Sequence, residues 1–215
     1  ERPFEILLTT DLPSEQDAAR QLGRHLDGCR IGFDLGGSDR KVAAVVDGEV
    51  VFSEETAWDP YYQEDPSYHR EGIADSLNKA ASHLPQVEAI GGSSAGVYVE
   101  NQPRVASLFR GVSEGRFDFE VKPMFRNLSK EWDVPFEVIN DGDVTALAGS
   151  MSLGENAVLG LAMGTSEATG YVNAEGKVTT WLNELAFAPI DYAEGAPADE
   201  WSGDWGCGVQ YFSQQ

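Results

Sequence analysis

Between Arg30 and Trp58 the chain reads RIGFDLGG, then KVAAVV, then Asp47-Gly48, then EVVFSEETAW, and no other stretch limits the fold as sharply. Each run is apolar and strand-like, and an Asp-Gly pair between two such runs is a strong signal for a tight hairpin. The stretch predicts three strands, the last two antiparallel. The first strand ends on paired glycines, which let a backbone turn sharply and approach a ligand closely.

The chain on either side supplies the remaining elements. Residues 14–27 (SEQDAARQLGRHLD) open with Ser and acidic residues and set Ala18, Leu22 and Leu26 on one face, which predicts a short amphipathic helix. Residues 59–68 form an aromatic, acidic loop. From His69 to His83 the spacing of Ile73, Leu77 and Ala81 predicts a helix that Pro85 closes. VEAIGG is a further strand, followed by a polar stretch without clear period to about Phe119. A helix through Met124, Leu128 and Trp132, a strand PFEVIN, a small-residue helix from Asp141 to Met151, and strands VLGLAMG and TGYVNAEGKV complete the pattern. Three strands, then helix, strand, helix, strand is an α/β order.

Several function classes are excluded early. The formal net charge is −21, with Lys and Arg numbering 15 and forming no block, so no nucleic-acid-binding surface is expected. A phosphate ligand would be repelled at long range and must be captured locally, by backbone N–H groups and a bound cation. No run of about 18 apolar residues occurs, so no membrane partner is expected. Cys29 and Cys207 are the only cysteines, which fits a reducing cytoplasm, and His25, His69 and His83 lack metal-ligand spacing. Glu1-Arg2-Pro3 reads as the start of a trimmed chain, with neither an initiator Met nor a signal peptide's apolar core.

Three short segments carry candidate chemistry. In Asp34-Leu35-Gly36-Gly37-Ser38, Asp34 could hold a hydrated Mg²⁺, Ser38 offers a hydroxyl and Lys41 a nearby cation; a plain hairpin turn reads equally well. Asn140-Asp141-Gly142-Asp143 heads a helix directly after a strand. One of its aspartates could be a helix cap, or Asp141 could accept a proton from an attacking hydroxyl. Gly164-Thr165-Ser166 closes a strand with a turn able to present N–H groups to phosphate. The aromatic residues Trp58, Tyr61, Tyr62 and Trp181 could stack on a sugar face, though scattered aromatics more often serve packing.

Taken in this order, the segments resemble the motifs of the actin/hexokinase-like superfamily, and most closely its ROK sugar kinases. DLGGSDRK is similar to the first phosphate motif, with Ser38 for the family's Thr, Asp39 for its Asn and Lys41 for its Arg. VINDGDVTALAG resembles the segment with the catalytic Asp, MGTSEATG the second phosphate motif, and GSSAGVYV the G-x-P-G-x-V run before the sugar loop. The resemblance implies a ribonuclease-H-like, actin-like ATPase lobe of order βββαβα over residues 31–142. A helical extension (1–30) would precede it, and the beginning of a second similar lobe (143–215), incomplete against the family, would follow.

It also implies ATP-dependent phosphorylation of a hexose-like hydroxyl. Asp141 would be the base and Asp34 would position Mg²⁺ through water. Gly36, Gly37, Ser38, Lys41, Gly164 and Thr165 would hold phosphates, and Asn140, Glu184 and Ser107 the sugar. ATP, Mg²⁺ and a small sugar are the expected ligands, and a homodimer is left open. Where the family has a sugar- and zinc-binding His, this chain has Phe187, and two zinc cysteines fall on Glu200 and Ser202, so no zinc is expected. Glu167 brings a carboxylate into the second phosphate motif, repulsive unless it points away or binds the metal. Three rival readings stand beside this one: a non-catalytic sugar sensor, a superfamily kinase with a non-sugar acceptor, and unrelated turns in another α/β protein.

Overall fold

A computed structural model describes residues 8, 10, 11 and 18–214. β1 (Cys29–Leu35), β2 (Asp39–Val46) and β3 (Glu49–Ala57) form the expected antiparallel meander, with Asp47 and Gly48 both at positive φ in the connecting turn. α1 (Pro66–Ala81) begins on Pro66, with the Asp65 side chain accepting from Ser67 N–H at 3.0 Å. The chain then returns through β4 (Ala89–Ser94), parallel to β1. After a hairpin of β5 (Val97–Val99) and β6 (Gln102–Val105) come the short turn α2 (Glu114–Arg116) and the helix α3 (Met124–Trp132). β7 (Phe136–Asn140) pairs parallel to β4, completing a five-stranded sheet in the order β3-β2-β1-β4-β7.

Alternation along the strands decides which face is filled. Ile31, Phe33 and Leu35 of β1, with Val42, Ala44, Ile90, Phe136 and Val138, bury one face against Ile73 and Leu77 of α1 and Phe125 and Leu128 of α3. On the other face Gly32 and Gly91 have open space where a side chain would stand.

α4 (Asp141–Leu153) leaves the end of β7 and packs on a second sheet, the antiparallel pair β8 (Val158–Met163) and β9 (Glu167–Val172). Glycines allow the close fit: a Cβ on Gly142 would lie 2.4 Å from Thr169 backbone, and one on Gly160 would lie 2.5 Å from the Ala146 nitrogen. Beyond β9 the chain is mostly irregular around a small core of Ala186, Cys207 and Val209, with one last turn, α5 (Val209–Phe212).

The predicted helix over 14–27 is not formed. Residues 14–17 lie outside the described ones, and residues 18–27 are non-helical. Arg20 pairs through its backbone with Val178 (2.9 and 3.0 Å), while Gly23 and Arg24 both take positive φ. Leu22 packs beside Leu147, and Arg24 Nη2 donates to Ser150 Oγ at 2.7 Å. An extended strap across α4 takes the helix's place, and of the three apolar residues only Leu22 is packed in it, Ala18 and Leu26 being exposed.

Candidate active site

β1, β4 and β7 run parallel, so their C-terminal ends share one edge. The register places Asp34 opposite Ser93, Ser93 opposite Ile139, and Ser94 opposite Asn140. The loops that follow are therefore neighbours: Gly36-Gly37, Ala95-Gly96 and Asp141-Gly142. Ligands of open α/β sheets bind in such crevices, beyond the carboxyl ends of the strands. Gly96 is required in its loop, since its φ of 120° would bring a Cβ within 2.4 Å of the Val105 carbonyl oxygen.

Two cavities reach this edge, the first extending from it over the open face of the sheet at Gly32 and Gly91. One, of about 910 Å³, is bordered by Asp34, Lys41, Ser93, Asp141 and Thr145. The other, of about 550 Å³, is bordered by Asn140, Asp143, Thr169, Thr179, Asn183 and Glu184. Asp141 thus faces the first cavity while its neighbours Asn140 and Asp143 line the second. Burial, and then the charge of Asp34, push the Asp141 carboxyl up to about 6. Asp143 rises to about 7, again chiefly by burial, with the charges of Glu184 and Asp141 adding to it. Glu184 is raised as well, by burial and then by Asp141.

Neither aspartate is the N-cap residue of α4, although Asp141 Oδ1 also accepts from Gly142 N–H, at 3.2 Å. Asn140 takes that role: its Oδ1 accepts from Gly142 N–H at 2.8 Å, and its Nδ2 donates to the Gly96 carbonyl at 2.8 Å. Asn140 ties two crevice loops together and retains one amide proton for a ligand.

In the first phosphate segment, the backbone and the side chains behave differently. Gly36 N–H donates to the Asp39 carbonyl at 2.9 Å, and a Cβ on Gly37 would lie 2.1 Å from the Tyr61 hydroxyl. Any side chain at position 37 would displace the Tyr61 ring. Ser38 Oγ, however, donates to Asp39 at 2.9 Å, and Lys41 Nζ is ion-paired to the same carboxylate. Asp39, standing where the resembled family has Asn, holds both groups expected to meet phosphate.

Gly164 and Thr165 lie near the same end of the molecule. β8 runs antiparallel along α4, with Gly149 against Val158 and Gly160 against Ala146, so the Gly164 turn lies toward the N-terminal end of α4, though neither Gly164 nor Thr165 borders either of the two cavities. Glu167 points away from this turn. It is 5% exposed, it packs against Gly208, and burial raises its carboxyl.

Of the expected sugar residues, Asn140 and Glu184 share the second cavity. Ser107 does not border it; it opens a 3₁₀ turn, Ser107–Phe109. Phe187 packs against Trp201, with ring centroids 5.7 Å apart. Around Cys207 the loop is organised by the buried carboxylate of Asp199, whose Oδ2 accepts from the N–H groups of Trp201 (3.1 Å) and Ser202 (2.7 Å). Burial raises the Cys207 thiol, consistent with a packed rather than a nucleophilic sulfur.

Thr169, Thr179 and Asn183 are cavity residues that the sequence does not single out. Only the polar residues at small-residue positions of MGTSEATG hint at Thr169. Tyr61, a candidate for sugar stacking by its aromatic character, instead packs on Gly37, with the Arg110 guanidinium 4.2 Å from its ring centre.

No known family's sequence profile matches the chain, and no curated protein matches it. Solved structures do. An inorganic polyphosphate/ATP-glucomannokinase from Arthrobacter sp. strain KM is 22% identical, over 77% of this chain and 65% of its own, with a TM-score of 0.59. A ROK hexokinase from Thermus thermophilus is also 22% identical, over 83% and 57%, at 0.59. A ROK family transcriptional regulator, a homologue of the E. coli Mlc protein, is 19% identical, over 87% and 47%, at 0.63. The chain shares the mixed α/β fold of these solved structures. It spans between about half and two thirds of these proteins' lengths.

Proposed function

We propose that this chain is the front part of a divergent ROK-family sugar kinase, in which Asp141 takes the proton from a sugar hydroxyl as that oxygen attacks a phosphoryl group. The observation that supports this most strongly is the position of Asp141. It borders the cavity that contains Asp34, and its chain neighbour Asn140 borders the cavity that contains Glu184, so a base at this position would stand where the two cavities approach. Its raised affinity for protons suits a base that works near neutral pH.

The donor set fits an ATP·Mg complex at the backbone and at Asp34, and fits it poorly at Ser38 and Lys41. Gly37 and Thr165 would offer N–H groups to phosphate oxygens, those of Gly36 and Gly164 being taken by the carbonyls of Asp39 and Ser166 (2.9 Å each), and Asp34 would hold the hydrated ion. When bound, the complex supplies the transferred phosphoryl group and a cation that offsets its charge. Asn140 and Glu184 would orient the sugar, and Asp141 would hold the proton released from its hydroxyl.

One observation favours a second reading. With Ser38 and Lys41 both engaged by Asp39, the phosphate site loses a hydroxyl and a cation, as suits a sugar-binding sensor without efficient catalysis. A solved ROK structure is a transcriptional regulator. Phosphate transfer from ATP·Mg to a panel of hexoses, followed by phosphorus NMR alongside calorimetry, tests the two. Sugar phosphate as product supports the kinase; sugar binding with no product supports the sensor. Nothing in either cavity singles out a non-sugar acceptor. Among the described residues no helix is long and apolar enough to cross a membrane, and a cytoplasmic setting is part of the proposal.

A further inference from the structure

The cavity bordered by Asn140 and Glu184 carries more negative charge than a neutral sugar calls for. Asp143 and Glu184 both line it, and Asp141 is near enough for its charge to act on each. Among the described residues Arg20 is the one basic side chain on its wall, and its guanidinium is already ion-paired with Glu137. Carboxylates withdrawn from water without a countercharge are costly, and the cost falls when a ligand brings that charge.

Unmet hydrogen-bonding atoms gather at the same place. Asp143 Oδ1, Asn183 Nδ2, Thr169 Oγ1 and Thr179 Oγ1 are buried and make no hydrogen bond of good geometry, and the two threonines are 3% and 4% exposed. The Asn183 amide comes near enough to Asp143 to offset part of the effect of burial on its carboxyl, but does not satisfy Oδ1. All four residues line the cavity. Native proteins leave few buried polar atoms unpaired, so four in one cavity wall mark a polar occupant. A metal ion does not match the geometry, since among the described residues no three carboxylate, thiol or imidazole groups converge to hold one. The missing charge belongs on an organic ligand that also has hydroxyls.

Resting on the reading of this cavity as the acceptor site, we propose that it takes an amino sugar with a free ammonium group. Asp143 and Glu184 face the ammonium, and Thr169, Thr179 and Asn183 meet the hydroxyls. Asp143 occupies a position where the resembled family segment has Asn, so this chain adds a charge at the wall. The Asp143 carboxyl, pushed up to about 7, is partly protonated near neutral pH, and an ammonium beside it would expel that proton.

Calorimetry on the protein with glucosamine, glucose and N-acetylglucosamine, at one pH and in buffers of different ionisation heat, tests the proposal. Glucosamine is expected to bind about tenfold or more tightly than the two neutral sugars, with proton release, and Asp143→Asn should erase the difference. Thr179→Val should weaken all three sugars together, which separates hydroxyl contacts from the ammonium contact; thermal melts confirm that both variants fold. Equal affinity for glucosamine and glucose, or a preference that survives Asp143→Asn, overturns the amino-sugar proposal and leaves the sugar-site reading standing. If none of the three sugars binds, both fall.

Discussion

Asp141 and Asp143 sit two positions apart on one helix, and their surroundings differ. Asp141 borders the cavity that contains Asp34; Asp143 borders the one that contains Glu184. Because Asp141 must be ionised to accept a proton, kcat/KM should rise with pH through about 6 and then level off. A profile that is flat from pH 5 to 8 would remove Asp141 from the base role. Asp143 carries a stability consequence. Its folded-state pKa lies above the unfolded value, so the fold favours its protonated form. The stability this contributes is full below about 4 and is lost as pH rises through about 7. Asp143→Asn should therefore stabilise the protein more at pH 8 than at pH 5.5, by on the order of 1–3 kcal/mol, as read from urea melts. The opposite order would show that Asp143 is held ionised by a partner. At this scale Asp34, Asn140, Asp141 and Glu184 are legible in the sequence, because each stands at the end of a strand or in a motif. Thr179 and Asn183 are not legible. Irregular chain beyond β9 carries them to α4, and no local spacing records that approach.

At the level of elements, glycine spacing sets how α4 meets its sheet. Gly142, Gly160 and Gly170 each leave no room for a Cβ between α4 and the β8–β9 pair. Gly142→Ala should cost about 1–3 kcal/mol by overpacking, measured by chemical denaturation, and should displace Asp141 with the first turn of the helix. An unchanged midpoint would mean that α4 and β9 stand further apart than described. His69 ties two loops in a comparable way. Its Nε2 lies 3.1 Å from the Pro60 carbonyl and 2.9 Å from that of Leu108, and burial lowers its basicity, so it is a neutral donor. The regular elements are readable because strands β1 to β4 and β7 carry short apolar stretches between turn residues, and α1 and α3 carry clear helical periods. The β5–β6 hairpin has no such signal. Its turn uses Glu100 and Asn101 at positive φ in place of an Asn-Gly pair, and the Asn101 amide bonds Phe136 O and Val138 N–H on the free edge of β7 (2.7 Å each). The strap over residues 18–27 misleads for the opposite reason, since its helical spacing is real but long-range pairing with Val178 prevails.

For the whole molecule, net charge shapes the expectations. A net charge of −21 opposes the approach of any phosphate donor, and a crevice that binds one would capture it only at short range. Raising the salt from low concentration to about 0.15 M should therefore lower the KM for ATP·Mg, because the Debye length shrinks to about 8 Å. A KM that rises with salt would mean that local ion pairing outweighs the long-range repulsion. As the proposed base, Asp141 would act on bound reactants without being needed to hold them, and steady-state kinetics of Asp141→Asn decide the point. If Asp141 is the base, kcat for sugar phosphorylation falls about 10²–10⁴-fold while the affinity for sugar measured by calorimetry changes little. Full turnover in that variant, or a loss confined to sugar affinity, would contradict the assignment.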